Sequence, residues 1–357
     1  MELSDSLQVS VLTMSPGTEL YSTFGHTAFR IKDLHNGYDI VFNYGTFDFN
    51  TKYFYFLFAL GKLDYMLSVE SFESFADEAR EENRSLREQV LNFNKKQKMQ
   101  LVDFLVQNYR PEKRFYRYKF FTDNCSTRIR DVIALIADDS LILERPKVKY
   151  YVTFQKLYTN KLEQMPWCKF GIGFLLGSLT QKQAGYDALF LPDNLEEAIG
   201  KAKIAGSPLD SKDNEIYKAK ENEKDSFWLS PVLMSLMVLL LAISIQFKNN
   251  WTLVFDKIFF SLFGLFGLFI TIVCIMSLHA ELHKNFVILF LLPSHIILPF
   301  LKKSGFKKNY CLVTLLILVV SLLCIPVIPQ SFSLSFILLS LALALRLFFN
   351  FKSSNFI

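Results

Sequence analysis

Cysteine is scarce here, five in 357 residues, so no disulfide network can hold the fold together. Histidine is equally rare at five, which confines metal binding and proton transfer to a few named side chains. Charge of one sign is also lacking. Thirty-nine Lys and Arg face thirty-four Asp and Glu, and the net +5 is not gathered into a basic face, which argues against nucleic acid as a partner. The N-terminus, "MELSDSLQVSVLTM", is too polar for a secretory leader, and no repeat runs through the first two thirds of the chain.

What is present is a sharp break in composition. Up to about residue 227 the sequence is mixed and charged; after Trp228 long apolar runs dominate. Five stand out: Trp228–Gln246, Ile258–Leu278, Phe286–Leu301, Cys311–Ile328 and Phe332–Phe349. Most approach the ~20 residues that cross a hydrocarbon core, so an all-α bundle of five transmembrane helices is expected over 228–357. The third run is the shortest and carries Pro293, Ser294, His295 and Pro299, which predicts a kink.

Basic residues alternate from loop to loop. Lys248 and Lys257 flank the first connection, Lys284 is alone in the second, and Lys302, Lys303, Lys307 and Lys308 crowd the third. The fourth, "PVIPQS", has none, and the tail carries Arg346 and Lys352. The positive-inside pattern then places the C-terminus in the cytoplasm and residues 1–227 outside. An exported segment ahead of an inward-running span needs a leader, so the expectation is a mature or trimmed form with Met1 added.

The exported part reads as α+β. "LQVSVLTM" is a strand closed by "SPGTE"; "HTAFRIKD" and "YDIVFNYG" form a hairpin about Asn36-Gly37. "KLDYMLSVES" and "SLREQVLNF" are further strands, Phe72–Glu82 and Lys95–Tyr109 are helical, and "KRFYRYKFF" is extended. A helix starts at Cys125 with Asp123 or Asn124 as its N-cap. Residues 1–210 are the expected domain, and 211–227 a charged tether, either solvated linker or short polar helix. The aromatic run 54–66, "FYFLFALGKLDYM", is read as core in preference to a membrane-touching lip.

Cys274, Cys311 and Cys324 fall in or beside the apolar runs and read as small apolar residues. Cys125 and Cys168 remain, and composition alone leaves a disulfide between them open. Position favours a different reading of Cys125. A thiol at a helix N-terminus sits among unpaired N–H groups at the positive end of the dipole, which favours the thiolate, and the same groups can hold an oxyanion. A Cys nucleophile needs a base, and the exported part offers His26, opening a strand, and His35, in the hairpin turn. Asn43, at the centre of the next strand, is placed to orient an imidazole. Cys125, His26 and Asn43 are therefore the candidate catalytic residues.

"VLTMSPGTELYSTFGHTAFRI" (11–31), "VFNYGTFDF" (41–49), "ENRSLREQVLNF" and "DNCSTRIRD" (123–131) together closely resemble the Bacteroidota lipoprotein N-acyltransferase family. The resemblance covers most of residues 7–195, and "LHAELHKNFVILFLLP" extends it more loosely into the apolar part. The exported domain of that family is in turn similar to the permuted NlpC/P60 papain-like group, in which the histidine strand precedes the cysteine helix. That group includes the lecithin:retinol acyltransferase-like enzymes. The resemblance implies a papain-like fold with Cys125 as nucleophile, His26 as base and Asn43 as third residue. Met14 stands where relatives are expected to carry cysteine, which leaves Cys168 unpaired. The implied activity moves an acyl chain from a membrane phospholipid, through a Cys125 thioester, to the α-amino group of a diacylglyceryl-cysteine on a lipoprotein. No cofactor, metal or nucleic acid is implied. A membrane-anchored cell-wall peptidase or amidase and a non-catalytic scaffold are the alternatives.

Four further residues are candidate substrate contacts: Arg128, Tyr44, Asn124 and His279. Arg128 either grips a phosphate or carboxylate or belongs to a salt-bridge set with Arg130 and Asp131. His279 and His283 are spaced i, i+4, but Ala280 stands where a zinc-protease helix has Glu, so headgroup contact is preferred to metal.

Overall fold

The computed structural model describes residues 4–48, 50–138, 141–142, 152–220, 230–245, 250–301 and 305–353. The chain divides into two compact units: Met1–Lys161 with Gln183–Glu223, and Leu162–Lys182 with Lys224–Ile357.

The first unit is built on β1 (Gln8–Met14), β2 (His26–Asp33), β3 (Tyr38–Thr46), α1 (Phe54–Ala59), β4 (Asp64–Ser71), α2 (Phe72–Glu81), β5 (Leu86–Leu91), α3 (Lys95–Asn108), β6 (Phe115–Arg117) and α4 (Cys125–Ala137). After β7 (Leu141–Ile142) and α5 (Phe154–Lys161), the next helix, α6 (Pro166–Leu175), belongs to the second unit. The chain returns with α7 (Pro192–Lys201), β8 (Lys203–Ile204), β9 (Ser207–Pro208) and β10 (Asp210–Tyr217). Seven strands form one antiparallel sheet in the order β10-β5-β1-β2-β3-β4-β6. This is the α+β architecture expected from the alternating strands.

Period-2 patterning puts the core on both faces. Val11, Phe29, Ile31, Phe42 and Tyr44 point to one side and pack with Leu101 of α3, Ile129 of α4 and Leu195 of α7. Leu12, Ala28 and Val41 point to the other and meet Phe75 and Ala79 of α2. The hairpin turns at Gly37, where φ is +72°.

Two expectations for this unit are corrected. Residues 210–217 are the edge strand β10 and not tether; its charged "DSKDNE" hides the alternation because an edge strand facing water needs few apolar residues. The expected tether residues 221–227 lie outside the described residues. The aromatic run is split: Leu60, Leu63 and Tyr65 are buried, whereas α1 contributes no buried residue at all.

In the second unit, α9 (Asn250–Met276), α10 (Gly305–Leu323) and α11 (Leu334–Ser353) are long and apolar enough to cross a membrane. A bent pair, Ala280–Leu289 and Pro293–Phe300 at 52°, makes a fourth span if counted as one. Its break falls between Leu289 and Pro293, within the run where a kink is expected. The remaining apolar helix, α8 (Pro231–Ser244), has 14 residues, and the ends of its run lie outside the described residues. Arg346 is no free loop charge. It is 1% exposed and forks onto Asp256, with Nε–Oδ1 at 2.7 Å and Nη2–Oδ2 at 2.9 Å, while Asn350 Nδ2 donates to the same carboxylate at 2.8 Å.

Candidate active site

The start of α4 is held by Asn124. Its extended backbone (φ −121°, ψ −175°) breaks the helix, and its Oδ1 accepts from Thr127 N–H at 2.9 Å while Thr127 Oγ1 accepts from Asn124 N–H at 2.8 Å. Its Nδ2 donates to the carbonyls of Phe120 (2.9 Å) and Phe190 (2.8 Å). With both ends of the amide engaged and 3% exposure, Asn124 is a cap that sets the position of Cys125 and not a substrate contact. The reading of Asn124 as an N-cap is the one the structure carries.

His26 and Asn43 share the α2 face by pleat parity, whereas Cys125 opens the helix on the opposite face. The two faces meet where β3 bulges between Tyr44 and Thr46. Gly45 is the residue left over, with φ +93°, a left-handed backbone that side chains other than glycine's rarely tolerate. A Cβ built there would lie 3.6 Å from Cys125 Cβ, 3.7 Å from His26 Cε1 and 4.0 Å from the Tyr116 hydroxyl. The missing side chain is what lets histidine and thiol come together.

Hydrogen bonds settle the imidazole. Asn43 Nδ2 donates to Glu70 Oε1 at 3.3 Å, so its Oδ1 is the acceptor for His26 Nε2–H at 2.6 Å. Glu70 is held in turn by the Ser74 hydroxyl at 3.0 Å. That leaves Nδ1 of His26 as the nitrogen for the thiol. Burial pushes the Cys125 thiol up, but the His26 charge, the His26 hydrogen bond and donation from Thr27 outweigh it and bring it down to about 7. For His26, burial acts downward, and the Cys125 thiolate with the bonds to Cys125 and Asn43 turns the net direction upward. The pair is thus poised to share one proton near neutral pH.

Tyr116 was not singled out by sequence reasoning. Its hydroxyl is buried, has no hydrogen-bond partner and lies beside the Gly45 gap. The ring is gripped by Arg128, whose guanidinium carbon sits 3.5 Å above its centroid. Burial, reinforced by the nearby Cys125 thiolate and partly offset by Arg128, holds the phenol well above its ordinary range, so it is a donor at any relevant pH. The signal was present in "KRFYRYKFF", but an aromatic run does not say which ring has an orphaned hydroxyl.

The other candidates fall elsewhere. Arg128 forks onto Asp123, Nε–Oδ1 2.6 Å and Nη2–Oδ2 3.1 Å, so its charge is already paired. Arg130 pairs with Asp131 at 2.7 Å, which is the salt-bridge reading of this set. Tyr44 is a core residue, 1% exposed, donating to Asn108 Oδ1 at 3.0 Å. His35 lies past the far end of β2 from His26 and is no base for Cys125. His279 belongs to the second unit and is buried there; its N–H donates to Ser277 Oγ at 3.1 Å. Cys168 is also in the second unit, and Cys125 and Cys168 are both free thiols. Among the described residues, no three His, Cys, Asp or Glu gather as a metal site.

Family models cover most of the chain. Residues 3–159 match the Lnb N-terminal periplasmic domain and residues 221–355 match the Lnb transmembrane domain. No curated protein and no solved structure gives a significant match. With a periplasmic α+β domain followed by apolar helices that can span a membrane, the chain belongs to the Lnb family of lipoprotein N-acyltransferases.

Proposed function

We propose that the chain transfers an acyl group by a ping-pong route through Cys125, on a papain-like catalytic unit joined to five membrane spans. The observation that carries this reading is the line Cys125–His26–Asn43, with the thiol brought down to about 7 at the first turn of α4. His26 Nδ1 takes the proton from Sγ, and the thiolate attacks the ester carbonyl of a membrane phospholipid. The carbonyl oxygen gains charge and is met by the Tyr116 hydroxyl and by N–H groups of the first helical turn. Thr127 N–H is already committed to Asn124, which leaves those of Cys125 and Ser126. The C–O bond breaks, the lysophospholipid alkoxide takes the proton from the imidazolium, and a thioester remains.

In the second half the free α-amino group of a diacylglyceryl-cysteine attacks the thioester. The C–S bond breaks, an amide forms and the amine's extra proton passes to His26 and stays with the departing Cys125 thiolate, restoring the starting pair. Glu70 stabilises each imidazolium through the Asn43 amide without receiving the proton. A membrane-bound catalyst suits both substrates, because extracting an acyl chain into water costs about 0.8 kcal/mol per CH₂.

The test is intact mass of the full chain in phospholipid nanodiscs, wild type beside Cys125→Ala. An acyl-sized gain is expected in wild type alone, discharged by a diacylglyceryl lipopeptide that becomes N-acylated. Lipopeptide acylation by the Cys125→Ala chain at the wild-type rate would overturn the thioester route. Absence of acylation in wild type would overturn the transfer.

A further inference from the structure

The family matches stop at 159 and resume at 221, leaving unassigned the stretch from Leu162 to Lys182, which packs with the second unit. Its centre is α6, "PWCKFGIGFL", which carries one charge, Lys169. None of its ten residues is buried, although Trp167, Phe170, Ile172, Phe174 and Leu175 are large and apolar. A helix of this composition left in water would expose a patch that soluble surfaces avoid.

Its C-terminus is finished in a manner water would make unnecessary. Asn285 Nδ2 donates to the carbonyls of Phe174 at 2.6 Å and Leu175 at 3.0 Å, and Gln330 Nε2 donates to that of Leu176 at 3.2 Å. Both amides are 5% exposed, and Gln330 also donates to Asn285 Oδ1 at 3.1 Å. Past the helix, Gly177 N–H donates to the Glu281 carbonyl at 2.7 Å and Ser178 N–H to that of Lys284 at 3.2 Å. A Cβ at Gly177 would run into the His283 carbonyl oxygen, so only glycine allows this approach of two backbones. Helix-end carbonyls are open to solvent in water, whereas in lipid each must find a protein donor.

Length and connectivity then decide how α6 meets the bilayer. It packs on α8 and α9, apolar helices that themselves carry exposed large side chains such as Leu240 and Phe266, so α6 is held against the elements that meet lipid. Ten residues extend about 15 Å, half of the ~30 Å hydrocarbon core. The chain both arrives from and returns to the first unit, whose matched part is periplasmic. A segment that is too short to cross and has both ends on one side enters a leaflet and comes back.

We propose that α6 is a monotopic membrane element, embedded in the periplasmic leaflet with phospholipid acyl chains covering its outward apolar side chains. Trp167 lies at the entry, as interfacial tryptophans do, and Phe170 and Phe174 continue inward to Phe336 of α11, with ring centroids 6.1, 4.7 and 5.3 Å apart in succession. Lys169 has the reach to place its ammonium at headgroup level.

The test reads Trp167 alone, in the full chain carrying Trp228→Phe and Trp251→Phe, reconstituted in nanodiscs of phosphatidylcholine with or without bromine on the upper acyl chain. Bromolipid is expected to lower Trp167 emission about twofold, while aqueous iodide leaves it unchanged. Quenching by iodide without quenching by bromolipid would overturn the proposal by placing α6 in water. Protection from both quenchers would also overturn it, by placing protein over α6. Should the tryptophan changes cost the fold, wild-type Cys168 gives the same answer by peptide mapping. A membrane-impermeant maleimide should label it in dodecyl sulfate and not in nanodiscs; labelling in both overturns the proposal. Cys125→Ala chains serve equally, so the outcome does not turn on acyl transfer.

Discussion

Asn43 in the first unit and Asn285 in the second bring the same amide to opposite tasks. Asn43 joins a histidine to a carboxylate, accepting from His26 and donating to Glu70, and both neighbours are groups that can carry charge. Asn285 joins backbone to backbone: it takes up two helix-end carbonyls and accepts from Val287 N–H at 3.0 Å. The arginines divide in the same way. Arg128 is only partly enclosed and lies over a tyrosine with an unpaired hydroxyl, whereas Arg346 is sealed against Asp256 and Asn350. In the thiol corner polar groups hold side chains that can change charge; in the apolar unit they hold backbone and a sealed ion pair.

This contrast can be broken from either side. His26→Ala should give the largest effect, a loss of about 10²–10⁴-fold in acyl transfer. Its pH signature is specific. Wild-type Cys125 should be alkylated with a half-maximal rate near pH 7, falling as acid protonates the thiolate. Without the imidazolium only burial and Thr27 remain, so the profile should move to higher pH; an unmoved profile in iodoacetamide kinetics would mean that His26 does not ionise the thiol. Tyr116→Phe removes one oxyanion donor and should cost about 10²–10³-fold in kcat with little change in donor KM. A pure packing role would spare kcat.

On the other side, Arg346→Leu strands the Asp256 charge in an apolar bundle and should destabilise the unit by about 3–5 kcal/mol, read as the midpoint of unfolding in mixed micelles. Arg346→Leu with Asp256→Leu should recover most of that loss. Asn43→Ala should have the smallest effect, on the order of 10–100-fold in transfer, matching one hydrogen bond to a charged group. It should leave the unfolding midpoint nearly unchanged; a large fall there would make Asn43 a structural residue like Asn285.

The thiol corner was legible to the extent that its chemistry depends on rare residue types. Five cysteines and five histidines leave few pairings, and alternation in "HTAFRIKD" and "YDIVFNYG" places His26 and Asn43 on neighbouring strands. Tyr116 was not legible, because one of fifteen tyrosines stands out only once its hydroxyl is found without a partner. Asn124 carried two readings, and only the bonds to Phe120 and Phe190 separate cap from contact. The edge strand β10 was hidden by its charge, and α6 by its brevity: ten residues, apolar but for Lys169, give neither a membrane-length run nor a clear amphipathic period.

The sheet of the first unit draws its last strand from beyond α6. During synthesis and export, β5 (Leu86–Leu91) emerges early, and its outer edge waits for residues 210–217 to pair with it. The apolar helix leaves the translocation channel in that interval, before α8, α9, α10 and α11 are made. Until Asn285 and Gln330 arrive, the helix-end carbonyls of α6 lack these donors, and on the proposal above α6 moors the nascent chain to the bilayer surface before α8 is made. A chain ended after β10 would therefore not release a freely soluble enzyme; it would leave the carbonyls of Phe174, Leu175 and Leu176 without their donors and the aromatic side chains of α6 without cover.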